Sequence, residues 1–349
     1  MKKKFLALLL ALGIFLCGCE LEFVPAPTLS GVSADGDVLT VHYIDVGQAD
    51  SILLETAGKF MLIDGGNKDD SQLVVSYLEQ QGVQELEAVI CTHAHEDHVG
   101  GLPAVLAVYP TKAVYAPTKT YSSKIFDSFL YYVDQQGLEV TIPAPGQLLT
   151  LGDAILTVLG PVQSYAETND TSIVLSLFFD DVRFLFTGDM EAAAENDMMD
   201  HWGEQIDWDS TVLKVGHHGS STSSSYRFLY ETDPEYAIVS VGKDNSYGHP
   251  HEEVVSRYAD AGIPLFRTDE LGHIIVTADG EDVQITWENQ FAQPGDVEQA
   301  DTTYIGNKNS KKLHLPSCAS LPAEGNRVTF TDYEEAIAAG YTTCGSCMG

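Results

Sequence analysis

The sequence predicts a layered domain of the α+β class over residues 38–288, followed by a small cysteine-bearing module. Apolar runs typical of strands mix throughout residues 38–288 with stretches of helical spacing. A composition of 44% apolar and 9% aromatic residues is typical of a globular chain that buries a core. Residues 289–303 are polar, contain a Pro-Gly pair and show no period, so we interpret them as a linker to residues 304–349. Strands mixed with helices predict helices packed outside sheets.

The N-terminus predicts a secretory signal. Lys2, Lys3 and Lys4 precede an uncharged run, and that run of about fourteen residues is shorter than the ~20 that a membrane-spanning helix needs. Leu16-Cys17-Gly18-Cys19 resembles a bacterial lipobox, which implies cleavage after residue 18 and lipidation of Cys19. We therefore expect an extracytoplasmic protein tethered to the cell membrane by lipid. Residues 19–37, a Ser/Gly-rich stretch with prolines, are interpreted as a spacer.

The elements of the large domain follow from apolar periodicity, with glycines as stops. The predicted strands are Val38–Val46, Ser51–Glu55, Lys59–Ile63, Glu87–Thr92, Ala113–Ala116, Ser172–Phe179, Val182–Phe186, Thr211–Val215, Tyr236–Val241, Ile274–Ala278 and Val283–Trp287, with further strands from residue 150 onward. The predicted helices are Ser71–Gln81, Gly101–Val108, Ser123–Gln136, Met190–Trp202, Ser223–Glu231 and His251–Ala261. Cys91, at the end of an apolar run, is interpreted as a buried thiol.

A dense group of metal-binding side chains follows the predicted strand that ends at Thr92. His93, His95, Asp97 and His98 are four potential ligands within six residues, and imidazole with carboxylate suits zinc and neighbouring metals. Residues two apart in an extended segment point the same way, so His93 and His95 can share one ion. The chain then turns to present Asp97 and His98 to a second ion. Two ions about 3.5 to 4 Å apart can share an attacking hydroxide.

The pattern His-x-His-x-Asp-His resembles the first signature of the metallo-β-lactamase superfamily. This resemblance implies a four-layer αββα sandwich, and the segment Phe186-Thr187-Gly188-Asp189 then resembles the strand end whose aspartate bridges the two metals. Further segments resemble the hydrolase domain of ComEC-type competence proteins. They are Ile44-Asp45-Val46-Gly47-Gln48-Ala49-Asp50, Leu213-Lys214-Val215-Gly216-His217-His218-Gly219-Ser220, Tyr247-Gly248-His249-Pro250 and Arg267-Thr268-Asp269-Glu270, whereas Leu62-Ile63-Asp64-Gly65-Gly66 resembles the early Asp-Gly turn of the whole superfamily.

The resemblance also implies the ligand sets. The third histidine that many members supply to the first metal is absent, because no histidine lies between His98 and Asp189. The first ion is then held by His93, His95, Asp189 and water or a weak Asn169 contact, which favours looser binding and tolerance of manganese in place of zinc. The second ion is held by Asp97, His98, Asp189 and a late histidine. Either His218 or His249 can be that ligand, and the sequence does not decide between them.

Catalytic roles are assigned to four of these side chains. Asp97 or Asp189 can accept the proton released from the attacking water, and His218 is one of the two candidate ligands of the second ion. His217 either donates a hydrogen bond to a developing oxyanion or caps the following helix. Ser220 is interpreted as the N-cap of that helix. The other histidines, His42, His201, His251 and His273, are interpreted as surface or core residues.

The C-terminal module predicts a structural zinc. His314, Cys318, Cys344 and Cys347 supply one imidazole and three thiolates, the set of a closed tetrahedral site. So short a module has too small a core to fold well alone, and a metal would supply stability. Tyr304-Ile305-Gly306-Asn307-Lys308-Asn309-Ser310-Lys311 with these ligands resembles the metal-binding domain of the Ada DNA-repair protein. His314 stands where that domain has cysteine, so its methyl-acceptor chemistry is not implied.

The charge limits the function. With 51 acidic and 18 basic residues the chain carries a formal charge of −33, which argues against a protein that coats duplex nucleic acid. The acidity lies outside the module, whose four basic residues balance its four acidic ones. We expect a metal-dependent phosphodiesterase or nuclease acting on DNA or nucleotides, with no protein partner indicated and a monomeric state. The alternatives are a phosphoesterase on cell-wall polymers, a β-lactamase, and a non-catalytic lipoprotein that binds DNA or wall polymer.

Overall fold

Two β-sheets lie face to face at the centre of residues 38–288. The computed structural model describes residues 38–288, 304–314, 318, 320–330, 336 and 339–344. The strands of the first sheet are β1 (Leu39–Tyr43), β2 (Ile52–Thr56), β3 (Lys59–Ile63), β4 (Ala88–Ile90), β5 (Val114–Tyr115), β6 (Val140–Thr141), β14 (Ile274–Ala278) and β15 (Val283–Trp287). Those of the second are β7 (Leu148–Leu151), β8 (Ala154–Gly160), β9 (Val174–Phe179), β10 (Val182–Phe186), β11 (Val212–Lys214), β12 (Tyr236–Val239) and β13 (Leu265–Arg267).

The strand order places the N-terminal and C-terminal strands of this region side by side. The first sheet runs β15-β14-β1-β2-β3-β4-β5-β6 and the second β13-β12-β11-β10-β9-β8-β7. β3, β4, β5 and β6 pair in parallel, as do β10, β11, β12 and β13. Because parallel strands of one sheet point their carboxyl ends the same way, the loops after β10 and β11 can meet at one edge of the second sheet.

The helices cover the outer faces of the sheets. They are α1 (Ser71–Gln80), α2 (Glu96–Val99), α3 (Leu102–Val108), α4 (Lys124–Gln135), α5 (Ala192–Trp202), α6 (Tyr226–Thr232), α7 (Glu252–Ala261) and α8 (Thr268–Leu271). One core lies between the sheets, with side chains such as Val41 and Phe184. A second packs the first sheet against α1, α3 and α4, and a third packs the second sheet against α5, α6 and α7. The four layers run αββα, which confirms the predicted fold class.

Most predicted elements of this region are observed within a few residues. β3, β10, β14 and β15 have the predicted bounds. The first predicted strand, however, ends at Tyr43, because the chain turns at Asp45, whose Oδ1 accepts a hydrogen bond from the backbone N–H of Gly47 at 3.1 Å. The predicted cap at Ser220 is wrong: α6 begins later, and its N-cap is Ser225, whose hydroxyl accepts a hydrogen bond from Phe228 N at 3.2 Å.

A small four-stranded sheet forms in the C-terminal part. Its order is β18-β16-β17-β19, with strands β16 (Tyr304–Asn307), β17 (Lys312–His314), β18 (Arg327–Phe330) and β19 (Thr342–Thr343). The apolar side chains that pack here are few: Leu313, Phe330, Ala336 and Tyr341, with Val328 against them. No helix within the described ranges is both long and apolar enough to cross a membrane. Residues 1–37, with the predicted signal and Cys19, lie outside the described residues, as does the predicted linker from residue 289 onward.

A buried histidine in β1 predicts loss of stability in acid. His42 is 5% exposed; its Nδ1 lies 2.9 Å from Tyr77 Oη and its Nε2 3.8 Å from Glu55. Burial, helped by the charge of His273, lowers the pKa of His42 from 6.5 to about 4. The folded state therefore resists protonation that the unfolded chain accepts, so stability present above pH 6.5 falls as the pH drops toward 4.

This contribution corresponds to about 3 kcal/mol between pH 7 and pH 4. Urea unfolding measured across that range should show a steeper loss of unfolding free energy in the wild type than in His42→Asn, which cannot take the proton. Equal slopes for the two proteins would contradict this interpretation.

Candidate metal centre

The loops that follow β4, β10 and β11 converge on one group of ligand atoms. Asp97, His98, Asp189 and His218 each offer an atom within 4.8 Å of the others. Asp97 and His98 lie in α2, which begins directly after His95. Asp189 follows β10, and His218 follows β11. All of these except Asp97 are almost fully buried.

His93 and His95 lie next to the same carboxylate. His93 Nε2 is 3.1 Å from His95 Nδ1 and 3.9 Å from Asp189 Oδ2. The same Asp189 Oδ2 lies 3.3 Å from His98 Nε2 and 3.6 Å from His218 Nε2. The Asp189 carboxylate is thus shared by two ligand groups, as a site for two ions requires.

The buried polar atoms of this group fit metal ions. His98 Nε2, His218 Nε2 and Asp189 Oδ1 are buried and make no hydrogen bond to any described residue. A buried polar atom without a partner is costly, and a divalent cation satisfies imidazole nitrogens and carboxylate oxygens together. The donors therefore suit a divalent ion between Asp97, His98, Asp189 and His218, and His93, which lies beside His95 and the same Asp189 carboxylate, is a candidate ligand of a second ion.

Asp64 orients His98 from the side opposite the cluster. His98 Nδ1 donates to Asp64 Oδ2 at 2.8 Å, and the other carboxylate oxygen accepts from Thr92 N at 2.7 Å. This bond fixes the ring so that Nε2 faces the cluster, a support that is general for metal-binding histidines. Asp64 adopts a left-handed backbone with φ 58°. The neighbouring Gly65 allows the start of α3 to approach closely, since a Cβ added to Gly65 would lie 2.7 Å from the backbone nitrogen of Leu102.

A buried ion pair orients His218 in the same way. His218 Nδ1 donates to Ser240 O at 3.0 Å and lies 3.4 Å from Asp50 Oδ1. Asp50 Oδ2 lies 2.8 Å from Lys214 Nζ, and both side chains are almost fully buried. Burial raises the pKa of Asp50, but the charges of Lys214 and His218 outweigh it and lower that pKa to about 2.

The histidine pair after β11 has an unusual backbone. His217 and His218 both adopt left-handed angles, with φ 50° and 52°, and Gly219 continues with φ 82°. Such a conformation costs roughly 1–2 kcal/mol for each residue that is not glycine, and such residues cluster at functional sites. The turn buries His218 in the cluster while His217 lies at the cavity wall. His217 does not cap α6, which begins nine residues later.

The charged side chains of the cluster shift one another's pKa values. Burial alone raises the pKa of Asp189, but the charges of His98 and His218 hold it well below its usual range. Burial lowers the pKa of His218, and the Asp189 and Asp50 carboxylates reverse this and raise it to about 10. For His93 burial dominates, and the pKa lies well below its usual value.

The cluster opens into a cavity of about 520 Å³. Its lining residues are Gln48, Asn67, His95, Glu96, Asp97, Asn169, Asp189, His217, His218, Tyr247 and His249. His249 lies on the wall, outside the cluster of ligand atoms, with Nδ1 3.3 Å from Gln48 Nε2. The geometry thus favours His218 over His249 as the second-metal ligand.

The segment that replaces the missing histidine also reaches the cavity. Asn169 Oδ1 is buried without a hydrogen-bond partner, while its Nδ2 donates to Glu191 Oε1 at 3.1 Å. Ser172 Oγ accepts from Asp189 N at 3.0 Å and lies 3.5 Å from His93 Nδ1. This segment therefore supports both the bridging carboxylate and a histidine of the first group.

Sequence reasoning missed the supporting residues Asp50, Lys214 and Ser172 and the role of His251. His251 Nδ1 accepts from Ser221 N at 2.9 Å, and its ring lies 4.7 Å from that of His249. A lysine inside the apolar run of β11 was the one signal for the ion pair, since such a residue requires a buried partner.

The predicted C-terminal ligands are partly described. His314, Cys318 and Cys344 place their ligand atoms within 4.8 Å of one another, and all three are buried. His314 Nδ1 is 3.3 Å from Cys318 Sγ. Cys347 lies outside the described residues.

Comparison with known proteins identifies the large domain. The profile of the metallo-beta-lactamase superfamily matches residues 44–243. ComE operon protein 3 of Bacillus subtilis (strain 168) is 29% identical over 292 residues, which cover 78% of this chain and 36% of that protein. Competence protein ComA of Neisseria gonorrhoeae is 32% identical over 233 residues, 65% of this chain and 30% of that protein. The chain spans about a third of the length of these curated relatives.

A solved structure also aligns with this chain. The metallo-beta-lactamase fold protein YhfI from Bacillus subtilis aligns with a TM-score of 0.48 at 13% identity, covering 72% of this chain and 100% of that one. The predicted relation to the metallo-β-lactamase fold and to competence proteins is confirmed by the profile and the relatives. The chain belongs to the metallo-beta-lactamase superfamily and is a metal-dependent hydrolase.

Proposed function

We propose that the protein is a phosphodiesterase or nuclease that hydrolyses DNA or nucleotides. The observation that carries this proposal is the Asp189 carboxylate shared by two ligand groups at the floor of an open cavity. Two divalent ions held by these ligand groups would stabilise both the attacking and the leaving oxygen of an in-line displacement at phosphorus. The names of the relatives, which refer to competence, favour DNA as the polymer.

The protein's own residues have distinct parts in this reaction. When bound, two divalent ions supply Lewis acidity and make a water nucleophilic near neutral pH. Asp97 Oδ2 lies 3.4 Å from His218 Nε2 on a side chain that is 31% exposed, so it can accept a proton released in the cavity. Asp189 Oδ1, which has no hydrogen-bond partner among the described residues, is the alternative acceptor of that proton.

His217 is placed to stabilise charge on the substrate. Its Nε2 lies 3.8 Å from Asp189 Oδ2 at the cavity, while its Nδ1 lies 3.3 Å from Glu191 Oε1 and 3.2 Å from Thr222 Oγ1. These partners fix the ring from behind, which leaves Nε2 to donate to a developing oxyanion. We propose Asn169 Oδ1 as a weak ligand of the first ion. Weak coordination at this position favours binding of manganese as well as zinc.

We also propose where the protein is located in the cell and that its C-terminal module binds a structural zinc ion. The lipobox-like residues support lipidation of Cys19 and an extracytoplasmic, membrane-tethered protein that acts as a monomer. The cluster of His314, Cys318 and Cys344 supports one structural zinc, with Cys347 as the fourth ligand. The lysines of the C-terminal module, such as Lys308 and Lys311, offer a docking point for nucleic acid that the acidic large domain lacks.

The zinc content of the protein should fall by one equivalent in Cys344→Ser. An unchanged zinc content would refute the zinc site in the C-terminal module.

A substrate screen with metal control tests the activity. The purified protein, loaded with zinc or manganese, is assayed on bis-p-nitrophenyl phosphate, single-stranded and supercoiled DNA, a phosphodiester-linked cell-wall polymer, and nitrocefin. Turnover of the phosphodiesters that a chelator stops and added metal restores is the expected result. His95→Ala should remove it.

The screen also separates the alternatives. Turnover of nitrocefin alone would identify a β-lactamase. Activity confined to wall-polymer phosphodiesters would favour the cell-wall phosphoesterase, and binding of DNA without turnover of any substrate would favour the non-catalytic lipoprotein. Each of these results overturns the proposed function.

A further inference from the structure

An exposed tyrosine lies on the wall of the catalytic cavity with its ring stacked on a histidine. Tyr247 is 67% exposed, and its ring centroid is 5.6 Å from that of His249 with an interplanar angle of 25°. Both residues line the cavity that contains Asp97 and Asp189. One face of the tyrosine is thus backed by an imidazole, and its exposed area is available at the cavity.

The segment that carries this ring is fixed in place. Asn245 Oδ1 accepts from the backbone N–H groups of Tyr247 and His249 at 3.1 and 3.0 Å. Asn245 Nδ2 donates to His249 O at 2.6 Å. Gln48 joins the segment to the loop after β1, because its Oε1 accepts from Gly242 N at 3.1 Å. Because these bonds hold the backbone around Tyr247, this segment loses little further freedom when the tyrosine ring contacts a ligand.

The cavity lacks the usual side-chain groups for holding a phosphate chain. Among the described residues that line it there is no lysine or arginine, whereas Glu96, Asp97 and Asp189 are acidic. Within a cavity lined by acidic and neutral side chains, affinity for the parts of an anionic substrate beyond the reacting phosphate must come from uncharged contacts. Aromatic rings supply such contacts, because every nucleobase has a face that can stack.

We propose that Tyr247, backed by His249, is the stacking platform for the nucleobase next to the scissile phosphate. The substrate class is then a nucleotide diester or single-stranded nucleic acid, since a base within a duplex is already stacked on its neighbours. This inference rests on the proposed phosphodiesterase activity and adds specificity to it.

Two small diesters with the same leaving group test the platform. Thymidine 5′-p-nitrophenyl phosphate carries a base, and methyl p-nitrophenyl phosphate does not, so the ratio of their kcat/KM values measures base recognition. In the metal-loaded full-length protein the ratio should favour the thymidine diester. Tyr247→Leu should lower the ratio about fivefold or more, and Tyr247→Phe should keep it within about twofold, because phenylalanine retains the ring.

A matched control is available on α6. Tyr230 is 82% exposed and does not line the cavity, so Tyr230→Leu should leave the ratio and the activity unchanged. Binding of thymidine 5′-monophosphate, followed by calorimetry, should weaken in Tyr247→Leu and not in Tyr230→Leu.

The outcomes distinguish this inference from the proposed function. Hydrolysis of both diesters with no preference for the thymidine compound, or an unchanged ratio in Tyr247→Leu, overturns the platform and leaves the phosphodiesterase intact. Hydrolysis of neither diester by the wild type overturns the phosphodiesterase, and the platform with it.

Discussion

Asp189→Asn is expected to lose hydrolytic turnover by about 1000-fold or more and to bind fewer than two metal ions. Asp189 Oδ2 lies within 3.3 to 3.9 Å of imidazole nitrogens of His93, His98 and His218. An asparagine of nearly the same volume keeps the packing but offers only one neutral oxygen, so both ions lose a charged ligand. Without this Lewis acidity the activation free energy rises by several kcal/mol, and each 1.36 kcal/mol lowers the rate about tenfold.

The measurement is metal content by inductively coupled plasma analysis, together with turnover of bis-p-nitrophenyl phosphate. Asp153→Asn is the matched control, because Asp153 is exposed in the turn between β7 and β8, outside the cavity. It should keep both metals and full activity. Two retained ions and wild-type turnover in Asp189→Asn would contradict the shared carboxylate.

Asp50→Ala is expected to destabilise the fold by about 3–5 kcal/mol, since it leaves the Lys214 ammonium buried without a counter-charge. Lys214 Nζ lies 2.8 Å from Asp50 Oδ2, and its remaining partner is the Val215 carbonyl oxygen at 2.8 Å. Both members of the pair are almost fully buried, so water cannot replace the lost carboxylate. Urea unfolding at neutral pH gives the free energy of unfolding.

The double variant Asp50→Ala with Lys214→Met distinguishes an ion pair from simple packing. Because replacement of a buried pair by apolar groups is often neutral, the double variant should recover most of the lost stability. It should not recover metal affinity, since His218 still lacks its carboxylate partner. A double variant that is less stable than Asp50→Ala would show that the pair contributes through packing alone.

Periodicity and spacing predicted the layered fold because each strand and helix carries its own apolar pattern. β3, β10, β14 and β15 have clear patterns bounded by turns, and their bounds were predicted correctly. α2 and α8 were missed, because each has only four residues and a polar sequence. β13 was missed because all three of its residues are only partly buried.

The signature from His93 to His98 predicted the metal-binding side chains because their ligands lie close together in the sequence. The choice between His218 and His249 depends on loops far apart in the chain. The left-handed turn at His217 and His218 and the Ser240 carbonyl together bring one imidazole into the cluster. The hydrogen bonds of Asn245 and Gln48 hold the other on the wall. No spacing within one segment carries that information.

The sequence by itself predicted the αββα class, the metal-dependent chemistry and seven candidate ligands, namely His93, His95, Asp97, His98, Asp189, His218 and His249. Only the tertiary structure decided which late histidine faces the cluster, how Asp50, Asp64 and Lys214 support it, and where Tyr247 lies. The physical reason is that residue type and local period are written in short stretches of chain. The direction of a buried side chain is set instead by partners from distant strands, whose contacts form only when the two sheets pack.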